Sequence, residues 1–177
     1  MKKLGQKTLF AGKYRSMVEK TFELPNGVIN NYEIATNNGM IAGMVCAVDK
    51  DGKFIMTREF RPGTEKYFYD IPGGGIDEGE NIYDGAKREL AEETGYVVGE
   101  LYNLGRLSLS AYDGFEWQCF LATDCEKKHE QNLGDTEFIE VVLKTEEELL
   151  GVMKNGEVVL GNMGVILLAL QKLKEIK

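Results

Sequence analysis

The stretch Gly74-Gly75-Ile76-Asp77-Glu78-Gly79-Glu80, leading through residues 81–85 into Ala86-Lys87-Arg88-Glu89-Leu90-Ala91-Glu92-Glu93-Thr94-Gly95-Tyr96, decides how the rest of the chain is read. From Ile82 to Thr94 the residues favour a helix, and Gly95 falls where a helix takes its C-cap. At 3.6 residues per turn, Glu89, Glu92 and Glu93 lie within about 100° of one another on that helix. Ile82, Ala86 and Leu90 occupy the neighbouring sector, which has to face the core. The three carboxylates therefore sit at the rim of the buried face.

That arrangement repels itself. Glu89 with Glu93 is a like-charged i,i+4 pair and Glu89 with Glu92 an i,i+3 pair, each costing roughly a few tenths of a kcal/mol even in solvent. Lys87 and Arg88, the only cations nearby in sequence, precede the cluster. A hard divalent cation with oxygen ligands relieves the repulsion, and Mg²⁺ suits clustered carboxylates that also meet substrate phosphates. The alternative is a solvated helix whose glutamates pair with distant Lys or Arg. The loop Gly73-Gly74-Gly75 in front of the helix favours the cation, because it lets backbone approach a ligand and offers carbonyl oxygens. A plain tight turn is the alternative there.

Working outward, Tyr14 to Leu24 and Val28 to Ala35 read as strands around the turn Pro25-Asn26-Gly27. Met40 to Val48 and Phe54 to Phe60 read as a second hairpin around Asp49-Lys50-Asp51-Gly52. A short strand, Tyr67 to Asp70, runs into the glycine loop, and further strands are expected at Val97 to Leu109, Phe115 to Thr123 and Phe138 to Leu143. Thr145 and Glu148 form a capping box that opens a helix to about Lys154. Asn162 to Ile176 carries a broad apolar stripe and is expected to be the last helix. Strands interleaved with helices imply an α/β class, a mixed sheet covered by helices.

Composition narrows the function. The 177 residues fit one domain with a small appendage, and the net charge of −8 argues against a nucleic-acid-binding surface. Cys46, Cys119 and Cys125 are odd in number without CxxC spacing, and His129 is the single histidine, which disfavours zinc. Reduced thiols, a basic start with no signal-length apolar stretch, and a longest apolar run of only Val165 to Leu170 imply a cytoplasmic protein without a membrane span.

The stretch Gly74 to Tyr96 resembles the Nudix box, G-x5-E-x7-R-E-U-x-E-E-x-G-U, with U a bulky apolar residue. Gly74, Glu80, Arg88, Glu89, Leu90, Glu92, Glu93 and Gly95 fall in register, and Tyr96 takes the final U position. The resemblance implies an α/β/α sandwich of the Nudix type, with a small N-terminal antiparallel β-hairpin region over residues 1–38 and the Nudix domain over 39–177. It implies Mg²⁺, with Mn²⁺ as an alternative, held by Glu89 and Glu93, by Glu92 directly or through water, and by the Gly73 carbonyl. Arg88 would pair with Glu80 and orient the cluster. In this family the metal polarises a diphosphate while water attacks one phosphorus.

Outside the box, the chain resembles the branch that cleaves ADP-ribose and related nucleoside diphosphate sugars. About 70 residues precede the box, enough for the N-terminal hairpin by which that branch forms homodimers. Arg58-Glu59-Phe60-Arg61-Pro62 resembles its pre-box motif, which implies substrate contacts from Arg58, Arg61 and the nearby Asp70. Asp135 to Glu140 resembles its acidic loop, which implies Glu137, or else Asp135, as general base, with Glu92 the next candidate. Two departures point to nucleoside diphosphate sugars as a class rather than to ADP-ribose alone. Ser110-Ala111-Tyr112-Asp113-Gly114 lacks the branch's proline, and Asp70-Ile71-Pro72-Gly73-Gly74 stands where Glu-Leu-Pro-Ala-Gly is usual. A triphosphate pyrophosphatase that removes damaged nucleotides, or a non-catalytic ligand sensor, is the alternative. Tyr67, Phe68, Tyr69, Tyr112 and Trp117 are candidates for base stacking or for core packing.

Overall fold

The computed structural model describes residues 1–176, which form two compact units. The first comprises Met1–Ile41 with the excursion Ser108–Glu116. It holds an antiparallel sheet of three strands, β1 (Lys2–Ala11), β2 (Ser16–Glu23) and β3 (Ile29–Thr36). The β2–β3 hairpin closes over Pro25-Asn26-Gly27, where the Asn26 side chain accepts from the Val28 N–H at 3.2 Å. Strand β1 adds an outer strand that the basic, unpatterned start of the chain did not signal; it pairs with β2 from Lys2↔Glu23 to Ala11↔Ser16. Residues 112–114 close on β3, with the Ala35 N–H donating to the Tyr112 carbonyl at 3.0 Å.

The second unit runs from Ala42 to Leu107 and again from Trp117 onward. Its strands are β4 (Ile41–Asp49), β5 (Phe54–Arg61), β6 (Lys66–Asp70), β7 (Gly73–Ile76), β8 (Tyr96–Val97), β9 (Glu100–Ser108), β10 (Glu116–Lys127) and β11 (Glu140–Lys144); its helices are α1 (Ile82–Thr94), α2 (Glu146–Lys154) and α3 (Leu160–Ile176). The sheet order is β11-β5-β4-β10-β8, with β6 on β5, β7 on β4 and β9 on β10. It is mixed, because β4 and β10 run parallel while β4 and β5 run antiparallel.

Side-chain alternation along the central strands builds two cores. Met44, Cys46, Val48, Phe54, Met56, Cys119 and Leu121 pack with Leu149 of α2 and with Val165, Ile166, Ala169 and Leu170 of α3. Val45, Ala47, Ile55, Phe120 and Ala122 pack on the opposite face with Ala86 and Leu90 of α1. A sheet with helices on both faces is the sandwich that the element pattern implies. The expected glycine loop differs: residues 73–76 are a short strand, held where the Val45 N–H donates to the Pro72 carbonyl at 2.9 Å.

A split in this sheet positions the site. Strands β4 and β5 pair only at Ala47↔Ile55 and Val48↔Phe54. Beyond that point β5 pairs with β6, from Thr57↔Asp70 to Arg61↔Lys66, and β4 takes β7 instead. The two halves diverge, and the glycine strand lies between them beside α1. Helix α1 starts at Asn81, whose side chain accepts from the Tyr83 N–H at 2.9 Å. It ends at Gly95, at φ 77°, as the sequence predicts. No other residue fits there, since a Cβ would lie 2.1 Å from the His129 carbonyl oxygen.

Candidate active site

Arg88 organises the carboxylates of α1. Its Nε and Nη2 donate to both Glu80 oxygens at 2.9 and 2.8 Å, and its Nη1 donates to Glu89 and Glu92, each at 2.9 Å. Nη2 also donates to the Gly75 carbonyl at 3.2 Å. The forked contact holds the Glu80 carboxyl well below its usual range, at about 2. Arg88 precedes the cluster in sequence yet reaches it in space. The long Arg88 side chain turns along the helix and compensates Glu89 and, one turn on, Glu92.

Glu93 is left without such help. Its Oε2 accepts from the Gly73 N–H at 2.9 Å, and among the described residues no cation pairs with it. Burial, opposed by the Gly73 N–H and reinforced by the charges of Glu59, Glu89 and Glu137, pushes its carboxyl up to about 8. Glu89 is shifted upward as well, chiefly by burial, and Arg88 opposes the shift. Gly74 makes the crowding possible: a Cβ there would lie 2.5 Å from Glu89 Oε2. A side chain at the box glycine would require the Glu89 carboxylate to move.

Across the split, Thr57, Glu59 and Arg61 follow one another on one face of β5. Thr57 Oγ1 donates to Glu59 at 2.9 Å, and Arg61 pairs with Glu59 at 3.2 Å and with Asp70, its Nε donating at 2.5 Å. Burial raises the Glu59 carboxyl, partly offset by Arg61 and Thr57. The sequence reading missed Glu59, although the alternation Thr57-x-Glu59-x-Arg61 marks it. The same alternation separates two residues that were expected to act together. Arg58 lies three positions from Arg61 and therefore points to the other face, where it pairs with Glu140 at 3.0 Å and covers the Tyr67 ring at 4.6 Å. Asp70, expected as a substrate contact, is not exposed to one. It is fully buried and committed to Arg61 and to Asn162 Nδ2, which donates at 2.6 Å.

The acidic loop after β10 is pinned to the end of α1. The Lys128 and His129 N–H groups donate to the Gly95 carbonyl at 3.0 and 3.1 Å, and the Asn132 N–H donates to that of Glu92 at 2.8 Å. Gln131 Nε2 joins the carbonyls of Glu93 and Ile139 at 2.7 and 3.1 Å. Beyond these anchors Glu137 is exposed and accepts from the Gly134 N–H at 2.8 Å. Its charge adds to the upward shifts of Glu59, Glu89 and Glu93 as the smallest of the causes. Asp135 is exposed in the same loop.

Among the described residues no three His, Cys, Asp or Glu side chains close on a common point. Glu89 and Glu92 lean on Arg88, and Glu93 leans on Gly73. The donors are nevertheless all oxygens, and the half-buried Glu93 has no countercharge among the described residues. That chemistry fits a hard divalent cation.

A split mixed sheet sets a glycine strand and a glutamate-lined helix against an arginine-bearing strand. A family model, the NUDIX domain, matches residues 38–160. The chain belongs to the Nudix hydrolase family and is ADP-ribose pyrophosphatase-like. It is 35% identical to an ADP-ribose pyrophosphatase of Bacillus subtilis (strain 168), over 89% of this chain and 88% of that one. It is 31% identical to a methanol dehydrogenase activator of Bacillus methanolicus, over 82% and 79%. The crystal structure of an ADP compounds hydrolase superposes with a TM-score of 0.85 at 26% identity, covering 99% of this chain and 96% of that one. Among the described residues no helix is long and apolar enough to cross a membrane.

Proposed function

We propose that the protein is a Mg²⁺-dependent pyrophosphatase that hydrolyses the diphosphate bond of a nucleoside diphosphate sugar such as ADP-ribose, releasing a nucleoside monophosphate and a sugar phosphate. One observation carries this reading. The half-buried Glu93 lies on the helix turn of Glu89 and Glu92, takes the Gly73 N–H and pairs with no cation among the described residues, while Arg61 on the facing strand is held by Glu59 and Asp70. The similarity to an ADP-ribose pyrophosphatase along most of both chains supports the substrate class.

When bound, Mg²⁺ supplies the countercharge for carboxylates and diphosphate and polarises the phosphoryl oxygens. Glu89, Glu92, Glu93 and the Gly73 carbonyl are its proposed holders, and Arg88 keeps the first two oriented. Arg61 reaches a substrate phosphate with a guanidinium already fixed by Asp70 and Glu59. Glu137 takes the proton of the attacking water; the new P–O bond forms as the bridging P–O bond breaks, and the leaving phosphate carries the electron pair away. Its exposure and its tether to Gly134 suit a group that approaches water without being fully coordinated.

The reading includes a homodimer in the cytoplasm. Leu4, Leu9, Phe10 and Ile29 are exposed on the three-stranded sheet, which supports a second copy covering it. Cys46, Cys119 and Cys125 are all free thiols, which supports a compartment where thiols stay reduced. Incubation with nucleoside diphosphate sugars and nucleoside triphosphates, each with and without Mg²⁺, tests the substrate by product mass. Cleavage of triphosphates in place of diphosphate sugars would overturn it.

A further inference from the structure

Asn162 sits in the first turn of α3 and is buried, yet nothing in the helix uses its side chain. Its Nδ2 donates to Asp70 Oδ1 at 2.6 Å, across 92 residues of sequence. Its Oδ1, equally buried, has no hydrogen-bond partner among the described residues. Turning the amide over would bring that oxygen against the Asp70 carboxylate, so the donor orientation is fixed by Asp70. A buried acceptor left unmade costs stability; a leucine of nearly the same size would remove that cost but would leave Asp70 Oδ1 without its donor. The asparagine is therefore at odds with local packing, and its one productive contact is with Asp70.

Asp70 in turn spends its other oxygen on Arg61, whose Nε donates at 2.5 Å. Glu59 holds the same guanidinium from the other side at 3.2 Å. The line Asn162–Asp70–Arg61 starts from a stiff base, because the Tyr69 N–H donates to the Glu157 carbonyl at 2.8 Å and Tyr69 bridges to Val158. The strand carrying Asp70 and the turn leading to Asn162 are thus fastened side by side.

We propose that Asn162 is a positioning residue for the substrate arginine Arg61, acting through Asp70. Fixing Oδ1 of Asp70 sets the plane of its carboxylate, and that plane sets the direction in which Arg61 presents its remaining N–H groups. The inference rests on the reading of Arg61 as a phosphate contact. A free carboxylate would swing about its Cβ–Cγ bond and carry Arg61 with it. The guanidinium would still be present, but binding would have to order it each time.

The test compares the parent, Asn162→Leu, Arg61→Lys and the double variant, using Mg²⁺-dependent ADP-ribose turnover and ¹⁵N NMR of the arginine Nε–H signals. Asn162→Leu is expected to raise KM about tenfold with kcat within about threefold, and to speed exchange of the Arg61 Nε–H at least tenfold, in a chain that stays folded at the assay temperature. In the Arg61→Lys background the same change should leave KM within twofold. A parent-like KM and exchange rate in Asn162→Leu, or an equal KM increase in both backgrounds, would overturn the inference. If the parent does not cleave ADP-ribose, the substrate reading fails separately. The exchange rate of Arg61 then decides alone: unchanged exchange rejects the positioning role, and faster exchange upholds it.

Discussion

Replacing Glu93 with glutamine keeps the side chain's size and an acceptor for the Gly73 N–H while removing the charge. Burial moves the Glu93 carboxyl from 4.5 up to about 8. Between those values the folded, cation-free protein holds a proton that the unfolded chain has released. Stability therefore falls as pH rises across that window and levels off above it. At about 1.4 kcal/mol per pH unit, the shift bounds the loss at on the order of 5 kcal/mol. The carboxyl keeps some access to water, so about half of that, ~2–3 kcal/mol, is the expected effect. For a chain of this size that corresponds to a Tm difference of about 5–10 °C. The assay is thermal unfolding with a chelator from pH 4.5 to 9. The variant should match the parent at the acidic end and exceed it by that margin near pH 8.5. Saturating Mg²⁺ should raise the parent's Tm and leave the variant's nearly unmoved, while turnover drops by orders of magnitude. A variant that tracks the parent at every pH, or that keeps its response to Mg²⁺, would refute the assignment of Glu93 as an uncompensated cation ligand.

Three further outcomes follow from the geometry. In pH–rate profiles at saturating Mg²⁺, Glu137→Gln should lower turnover roughly 10²-fold and abolish the acidic limb, whereas Asp135→Asn should follow the parent; equal losses in both would remove Glu137 as the base. Gly74→Ala places a methyl 2.5 Å from Glu89 Oε2, so kcat should fall by about tenfold or more with a Tm change of only a few degrees, and retention of full activity would show that Glu89 is free to move. Light scattering at micromolar concentration should give twice the 19.8 kDa chain mass, and a monomer would leave the exposed apolar side chains of the N-terminal sheet without their proposed cover.

What the sequence disclosed was whatever is decided within a few residues. The limits of α1, its Gly95 stop and the Thr145–Glu148 capping box depend on local hydrogen bonds, and the structure reproduces them. The glutamates could be gathered on one side of α1 by arithmetic alone. Features that depend on distant partners stayed hidden. Strand β1 has no turn signal or clean alternation, and it exists because β2 is there to pair with it. The division of labour between β6 and β7 follows from β4 and β5 parting after two residue pairs, which no local pattern encodes. Arg58 and Arg61 look alike as neighbours in a motif, and only the strand assignment sends them to opposite faces. Asn162 reads as one more polar residue at a helix start until Asp70 is placed against it.

Mass analysis of ADP-ribose incubated with the purified protein, with and without Mg²⁺ and in ¹⁸O-labelled water, tests the central claim most directly. The account predicts AMP and ribose phosphate in equal amounts, one ¹⁸O in one of the two products, and no cleavage once a chelator is added. Intact ADP-ribose after prolonged incubation with Mg²⁺, or cleavage that survives the chelator, would contradict it.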